Sequence, residues 1–361
     1  MNYQADVCIV GAGPSGALLS HLLAKKGLSV ILLEQNAALG QAFRGEHLNE
    51  EGEAVLTSHH LLQAVEALGI LRMKKLEYYA KGRAFKTILP DTAIGHLGIH
   101  VPQAHLLKGI LQETQQFSHF TCLLNTKVTK LITDRSGRYV GVVATREGET
   151  IEIVSQLIIG ADGRYSTIRK QAHIDTQKHK HGFDLLWAKI PAPQGWEPSI
   201  KMALVEDKQL SLFTQAGGFI QIGWNIEQGS FPQLRKQAFT PFIKQLTDTF
   251  PELAETVTHH IQSWQDFVLL DVFSSHCDCW GTDGLVLLGD AVHTMTPTGA
   301  FGLNSALKDA DCLASMLAKA TIAQFNVQEF QQIREQAIEK VLAQQIEKEQ
   351  SFASNFEDWA S

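Results

Sequence analysis

The stretch VCIVGAGPSG, residues 7–16, decides the fold of this 361-residue chain. It starts as a short apolar run rich in β-branched residues, which is typical of a buried parallel strand, and continues as a G-x-G-x-x-G turn. Apolar and small residues over 17–24, closed by Lys25-Lys26-Gly27, predict a helix with a defined end. A second apolar run over 29–33 ends at Glu34. Together these signals predict a β-α-β unit of about 30 residues.

Each glycine of the turn has a physical task. Gly11 permits the tight turn, Gly13 lets the backbone approach a pyrophosphate, and Gly16 lets the helix pack closely on the strand. The helix presents free N–H groups and a positive dipole end to phosphates. A carboxylate after the second strand can accept hydrogen bonds from ribose hydroxyls. The predicted dinucleotide-binding residues are Gly11, Gly13, Pro14, Ser15, Gly16 and Glu34. The motif alone leaves FAD and NAD as alternatives.

Two further apolar runs predict parallel strands of the same sheet. Residues 157–159 lead into Gly160-Ala161-Asp162-Gly163, and residues 285–288 lead into Gly289-Asp290. Over about 183–226, apolar and polar residues alternate as they do in half-buried antiparallel strands. The sequence therefore predicts an α/β fold. A Rossmann-type nucleotide-binding domain, built from discontinuous segments, would carry an inserted, mainly antiparallel sheet and a C-terminal helix.

The predicted domain boundaries follow from this order of elements. The nucleotide-binding domain takes residues 1–75, 101–175 and 270–322, and a substrate domain takes 76–100 and 176–269. A C-terminal helical segment takes 323–361. The apolar face predicted for it carries Phe330, Ile333, Ala337, Val341 and Ile346. We expect this helix to pack on its own domain, with a dimer contact as the alternative.

Charge and cysteine content narrow the class of protein. The formal net charge is -7 at pH 7, which disfavours nucleic acid and anionic lipid as partners. The five cysteines are scattered and pairs such as His59-His60 lack suitably spaced partners, so no metal site is predicted. The N-terminus lacks a signal-peptide pattern, and no apolar stretch reaches the length of about 18 residues that a membrane span needs. We therefore expect a cytoplasmic protein with no integral membrane segment.

Taken in order, the three glycine-containing motifs resemble the fingerprints of the single-component FAD-dependent aromatic hydroxylases, the family of para-hydroxybenzoate hydroxylase. The resemblance covers about residues 5–320. It implies that Glu34 holds the adenosine ribose, that Arg44 reaches the pyrophosphate side, and that Gln103 lies near the ribityl chain. Asp162 would belong to the element linked to FAD and reduced nicotinamide, and Asp290 would bind the ribityl hydroxyls. The residues that would line the flavin ring are Pro297, Gly299, Gly302, Leu303 and Asn304.

The resemblance implies a monooxygenase that binds FAD tightly. NAD(P)H would be a transient co-substrate, since the chain has a single G-x-G-x-x-G and no motif for a second Rossmann unit. With O2, a peroxyflavin would hydroxylate an aromatic or polycyclic small molecule. No side chain need act as a nucleophile, so no catalytic residue is assigned beyond those facing the flavin. The candidate substrate contacts are Trp187, Phe213, Trp224 and Phe301. We expect His293 to make a structural hydrogen bond.

Several alternatives stay open at this point. The stretch WAKIP, residues 187–191, is similar to the Trp-x-Trp-x-Ile-Pro element of flavin-dependent halogenases, but Lys189 replaces the second Trp. A flavin reductase or dehydrogenase that never inserts oxygen would share the cofactor motifs, and so would a non-catalytic flavin-binding protein. The identity of the substrate and the oligomeric state, monomer or homodimer, are also open.

Overall fold

The predicted β-α-β unit opens the computed structural model, which describes residues 2–40, 46–319 and 321–359. Strands β1 (Asn2–Val10) and β2 (Val30–Leu33) pair in parallel, with Val10 opposite Leu33. Helix α1 (Pro14–Lys25) connects them and begins at Pro14, since the fixed φ of proline suits the first helical position. After α1, Gly27 adopts a φ of +86°, which favours glycine. The structure confirms the predicted unit.

The remaining elements of the described residues follow in chain order. The strands are β3 (His47–Leu48), β4 (Leu71–Arg72), β5 (Lys75–Ala80), β6 (Arg83–Ile88), β7 (Ile99–His100), β8 (Phe120–Leu123), β9 (Thr126–Thr133), β10 (Tyr139–Arg146), β11 (Glu149–Gly160), β12 (Gln177–Lys180), β13 (Phe183–Pro191), β14 (Ser199–Val205), β15 (Lys208–Gln215), β16 (Phe219–Glu227), β17 (Val268–Leu270), β18 (Phe273–His276), β19 (Gly281–Thr282), β20 (Leu285–Leu287) and β21 (His293–Thr294). The helices are α2 (Glu50–Ser58), α3 (Leu62–Glu66), α4 (Gln103–Thr114), α5 (Thr167–Gln171), α6 (Phe231–Leu234), α7 (Phe239–Thr249), α8 (Ala254–His260), α9 (Phe301–Lys319) and α10 (Val327–Ser351). Within the described ranges, no helix combines the length and the apolar composition needed to cross a membrane.

The first of two compact units comprises Met1–Leu68, Pro102–His179 and Ser274–Gln344. Its main sheet has the order β19-β20-β11-β1-β2-β8, in which the strands from β20 to β8 are parallel. The first half of β11 pairs antiparallel with β10, and its end pairs with β20. Strands β2 and β20 are buried along their whole length, as expected of parallel strands covered on both faces.

The second unit comprises Gly69–Val101, Lys180–Phe273 and Gln345–Ser361. Its sheet has the order β17-β13-β16-β15-β14-β5-β6 and is antiparallel except where β14 meets β5. Residues of α7 and α8 cover one face and form a core with side chains such as Leu186, Ile222 and Phe250. The mixed α/β fold with a second, mainly antiparallel sheet is as predicted.

The apolar face predicted for the C-terminal helix is correct at Phe330 but wrong at Ile333 and Ile346. In α10, Ile333 and Ile346 are exposed at 49% and 39%. The buried positions are Phe330, Arg334, Ile338 and Gln345, of which the first three are spaced four apart and share one helix face. Arg334 is buried because its guanidinium pairs with a buried carboxylate, an interaction that an apolar pattern does not reveal.

The core of the second unit predicts a large penalty for truncating Phe250, which is fully buried and packs on Tyr79 with ring centroids 5.0 Å apart. We expect Phe250→Ala to lower the free energy of unfolding by about 3–5 kcal/mol, because it leaves a cavity. Phe219→Ala, in strand β16 of the same unit but 37% exposed, should cost less than about 1 kcal/mol. Urea unfolding followed by tryptophan fluorescence measures both, and equal losses would contradict this core.

Candidate cofactor site

Four parallel strands end together at one edge of the first unit's sheet. Val10 stands opposite both Leu33 and Gly160, and Gly160 stands opposite Leu287. The residues that follow these strands therefore leave the sheet side by side. The structure thus brings together the glycine turn, Glu34, the element of Asp162 and the element of Asp290, which lie far apart in the sequence.

The glycine turn is crowded on one side and open on the other. Gly11 has a φ of +103°, and a β-carbon there would overlap the backbone of Ala161. A β-carbon at Gly16 would overlap the carbonyl oxygen of Gly11. A β-carbon at Gly13, by contrast, would meet no atom within 4 Å. The space beside Gly13, next to the free N–H groups at the start of α1, fits a pyrophosphate.

The Glu34 carboxylate is fixed against this turn. Its Oε2 accepts a hydrogen bond from the Ala12 N–H at 3.0 Å. Its Oε1 accepts from the backbone N–H and the side-chain amide of Asn36, at 2.9 and 2.7 Å. The side chain is half-buried, so it is held in place while an acceptor edge stays available to a sugar hydroxyl.

The Asp162 carboxylate organises its own turn. One oxygen accepts from the Ser166 hydroxyl, and the other accepts from the N–H groups of Thr167 and Ile168 at 2.6 and 3.1 Å. Burial raises the pKa of Asp162, although these hydrogen bonds oppose the shift. In this structure Asp162 holds the start of α5, so any effect on a cofactor would come through the turn that it shapes.

The Asp290 carboxylate is an available hydrogen-bond acceptor in this site. It lies in a 3-10 turn, Gly289–Ala291, and its Oδ1 is 3.9 Å from a β-carbon built on Gly302. Among the described residues, no hydrogen bond to its carboxylate is found. The carboxylate therefore lies beside the first turn of α9, whose N–H groups have no partners within the helix. This pairing of an acceptor and open donors fits a polyol attached to an electron-rich ring.

The loop before α9 is bent by unusual backbone angles. Gly299 and Ala300 have φ values of +75° and +55°, and the second is rare for a residue with a side chain. The Phe301 ring lies over Gly299, where a β-carbon would be 2.5 Å from it. Pro297, Gly302 and Leu303 are half-buried at this bend. Their contacts with the cofactor stay a prediction.

Asn304 is built into the frame of the site. It is 1% exposed, its amide donates to the carbonyls of His47 and Ala300, and its oxygen accepts from the Asn49 N–H at 3.1 Å. The amide nitrogen and oxygen of the Asn304 side chain are both engaged by backbone groups, so this side chain holds the start of α9. It is therefore placed to support the proposed flavin contacts rather than to make one itself.

The other predicted contacts are placed as follows. Pro14 begins α1, and the buried Ser15 side chain lies 3.1 Å from a β-carbon built on Gly289. Gln103 begins α4, and its N–H donates to Glu46 at 2.9 Å. Arg44 lies outside the described residues.

Arg169 is a contact that sequence reasoning did not assign. It is 3% exposed, and its guanidinium donates to the carbonyls of Ala291 and Arg164 at 2.7 and 3.0 Å. It therefore ties the Asp162 element to the turn of Asp290. An arginine just after a capping Ser-Thr pair was the available signal, but one of its two backbone partners, Ala291, is remote in sequence.

The predicted substrate contacts of the second unit occupy opposite faces of its sheet. Trp187 and Phe213 lie on the face away from α7 and α8, where the Trp187 ring is 3.2 Å from a β-carbon built on Gly223. Trp224 is 2% exposed on the helix-covered face and stacks on Phe242 at 4.1 Å. We therefore assign Trp224 to the core, because strand neighbours alternate between faces.

The described part of the chain gives little support for a metal site or a reactive thiolate. It contains no group of three or more His, Cys, Asp or Glu side chains that could hold a metal ion. Burial raises the pKa of Cys8 to about 12 and, together with the charge of Glu34, that of Cys122 to about 11. Both thiols are therefore protonated at neutral pH.

Comparisons with known proteins agree with this geometry. Residues 4–344 match a family model described as FAD binding domain. The 6-methylpretetramide 4-monooxygenase of Streptomyces rimosus is 32% identical over 310 residues, which cover 85% of this chain and 73% of that protein. The matches confirm the predicted resemblance.

Two solved structures have the same fold. The structure of P. aeruginosa PqsL with 2-aminobenzoylacetate gives a TM-score of 0.80 at 20% identity and covers 98% of this chain and 99% of its own. The myxobacterial chondrochloren halogenase CndH gives 0.75 at 17% identity, with coverages of 92% and 78%. At these identities the likeness shows the fold alone, and it confirms the predicted fold class.

The glycine turn is open beside Gly13 and crowded beside Gly16, so alanine substitutions at these two positions should have different effects. Gly13→Ala should leave the fold intact, since Gly13 has a φ of −71° and open space, yet raise the dissociation constant for FAD by at least about tenfold by filling the phosphate space. Gly16→Ala should destabilise the protein without cofactor by about 2–3 kcal/mol through overlap with Gly11. Thermal unfolding of the apoprotein and flavin fluorescence titration separate the two. A stable Gly16→Ala protein would argue against the turn described.

Proposed function

Because this chain belongs to the FAD binding domain family and is an FAD-dependent monooxygenase, we propose that it hydroxylates an aromatic or polycyclic small molecule, with O2 and NAD(P)H as co-substrates. The observation that carries the proposal is the convergence of Glu34, Asp290 and the start of α9 at one sheet edge. The name of the Streptomyces rimosus relative, a 6-methylpretetramide monooxygenase, supports this substrate class.

When bound, FAD would supply the redox chemistry that couples the oxidation of NAD(P)H to the activation of O2. The chain's residues hold and orient it. The glycine turn receives the pyrophosphate at the start of α1, and Glu34 accepts from the adenosine ribose. Asp290 accepts from the ribityl hydroxyls. The N–H groups of Gly302 and Leu303, at the positive end of α9, stabilise negative charge on the ring.

The face of the second unit's sheet that lies away from α7 and α8 provides the substrate wall in this proposal. Trp187 and Phe213 offer aromatic surface for a flat ring, and the Trp187 ring packs closely on Gly223, where a β-carbon would lie 3.2 Å from it. Ser211 and Gln221 add polar groups on the same face, and both are buried. A wall of this mixed character suits an aromatic molecule that carries hydroxyl, amino or carbonyl groups. Phe301 remains a proposed substrate contact at the loop before α9.

Halogenation is the alternative, since a halogenase shares the fold. Lys189 argues against it. It stands where halogenases have the second tryptophan of their Trp-x-Trp-x-Ile-Pro element, and here its ammonium is exposed and lies 4.4 Å from the centre of the Phe219 ring. An exposed lysine therefore replaces the aromatic side chain that this element of halogenases carries.

We further propose a cytoplasmic location and a monomer or homodimer. The free cysteines, Cys8, Cys122, Cys277, Cys279 and Cys312, are in keeping with a reducing compartment. Sedimentation of the purified protein, with and without FAD, decides between one and two copies.

Removing the Asp290 carboxylate tests the cofactor assignment. Asp290→Ala should raise the dissociation constant for FAD by about 10- to 100-fold, because the ribityl hydroxyls lose a charged acceptor. Asp311→Ala is the matched control: Asp311 lies on α9 and pairs with His59 at 2.6 Å, and its loss should change FAD binding by less than about twofold. Titration of apoprotein by flavin fluorescence measures both. Equal effects would remove Asp290 from the site.

The reaction is tested by the fate of oxygen. Holoenzyme supplied with NADH or NADPH and ¹⁸O2 is assayed on a panel that includes 6-methylpretetramide, kynurenine and simple phenols, with chloride and bromide present. We expect one substrate to speed NAD(P)H oxidation and to gain a single ¹⁸O atom by mass spectrometry. A halogenated product would establish the alternative. Oxidation of NAD(P)H with hydrogen peroxide as sole product across the panel would point to a reductase or oxidase.

A further inference from the structure

A buried carboxylate lies beneath the turn that carries Asp290. Asp309, on α9, is fully buried. Its Oδ2 accepts from the backbone N–H of Gly289 at 3.1 Å and lies 2.6 Å from His293 Nε2. Its Oδ1 accepts from Arg334 Nε, on α10, at 2.7 Å. One side chain thus joins both ends of the 289–293 turn to two helices.

Because the Asp309 carboxylate is buried and charged, its stability in the fold depends on these contacts. Burial by itself would raise the pKa of Asp309, but the charges and hydrogen bonds of His293 and Arg334 outweigh it and hold that pKa below its usual range. A buried carboxylate that loses its cationic partner is strongly destabilised, so Asp309 keeps its position only while Arg334 is present. Arg334 is 5% exposed and also donates to the Ser305 carbonyl at 3.5 Å.

The geometry links this ion pair to the cofactor contacts. Asp290 lies between Gly289 and His293, the two points at which Asp309 grips the turn. Asp309 also follows Gly302 by seven residues on the same helix, which is about two turns. The position of the Asp290 carboxylate relative to the N–H groups at the start of α9 is therefore set through Asp309. Gly289, with a φ of +58°, sits close to Ser15 and Ala306 and has no room to shift inward.

We propose that Asp309 and Arg334 are positioning residues for FAD, and that α10 is in this way a functional part of the cofactor site. Arg334 fixes the Asp309 carboxylate, Asp309 fixes the 289–293 turn, and the turn aims Asp290 at the ribityl hydroxyls. His293 completes the grip with one ring nitrogen, and its Nδ1 meets no hydrogen-bond partner among the described residues. The inference rests on FAD as the cofactor and not on the proposed hydroxylation.

A double-mutant cycle on FAD binding tests the chain of contacts. Arg334→Gln is made in the native chain and in the Asp290→Ala chain, and the dissociation constant for FAD is measured on the four apoproteins. If Arg334 acts through Asp290, Arg334→Gln should weaken FAD binding about tenfold in the native background and less than about twofold once Asp290 is alanine. Asp311→Asn, two residues along α9 from Asp309, is the control and should stay within about twofold in both backgrounds.

The outcomes separate positioning from simple support of the fold. The same loss of affinity in both backgrounds would show that Arg334 acts independently of Asp290 and would overturn the proposal, as would an unchanged affinity in the native background. Far-UV circular dichroism and thermal unfolding verify that each apoprotein is folded. If Arg334→Gln does not fold, Arg334→Lys, which keeps the charge and loses the planar fork, takes its place. If neither folds, Arg334 is a folding residue and the proposal fails. Absence of oxygenase activity on every substrate tested would leave the cycle unaffected.

Discussion

The parallel register of four neighbouring strands is the constraint on which the cofactor site depends. Residues of β2, β1, β11 and β20 stand opposite one another at their last positions, so that segments from the start, middle and end of the chain emerge at one edge. A slip of two residues in one pairing would displace its segment by about 6–7 Å, beyond the reach of any hydrogen bond described above. The backbone of Gly11 packs directly on Ala161, and Gly16 on Gly11, so the glycines secure this register as well as the phosphate space.

Much of this frame could be predicted from the sequence, because its signals are local. Apolar runs ended by Gly11, Glu34, Asp162 and Asp290 indicate parallel strands, and the carboxyl ends of such strands meet at one edge. The contacts of Asn304, Arg169 and Arg334 could not be predicted in the same way. Their partners are backbone groups or a buried carboxylate far along the chain, and a polar residue in a helix carries no local sign that it will be buried. For that reason the sequence pattern placed Ile333 and Ile346 on the buried face of α10, where the structure places Arg334.

The second sheet shows a different limit of sequence reasoning. Alternation correctly indicates that neighbouring residues of a strand point to opposite faces, but it does not say which face a helix will cover. Trp187 and Trp224 sit on adjacent strands, and both are aromatic and buried. Only the packing of Phe242 on Trp224 distinguishes the core tryptophan from the one on the other face. The helix-covered face even carries a charge, Lys201, which bonds Tyr79 and Glu252 at 2.9 Å, so polarity would not have identified the faces either.

Residues that build the cofactor site and residues on the surface facing the substrate bear differently on which reaction the chain catalyses. The frame of the cofactor site includes buried polar groups that depend on one another, as Asp309 pairs with Gly289 and Arg334. The chondrochloren halogenase has the same fold at 17% identity, so the fold alone does not separate hydroxylation from halogenation. The surface that would contact the substrate is not constrained by these cofactor contacts. Lys189 is such a position: its side chain is exposed, while its backbone lies opposite Gln221 in the ladder of β13 and β16. The chemistry of this chain is thus decided by residues whose identity the fold does not dictate.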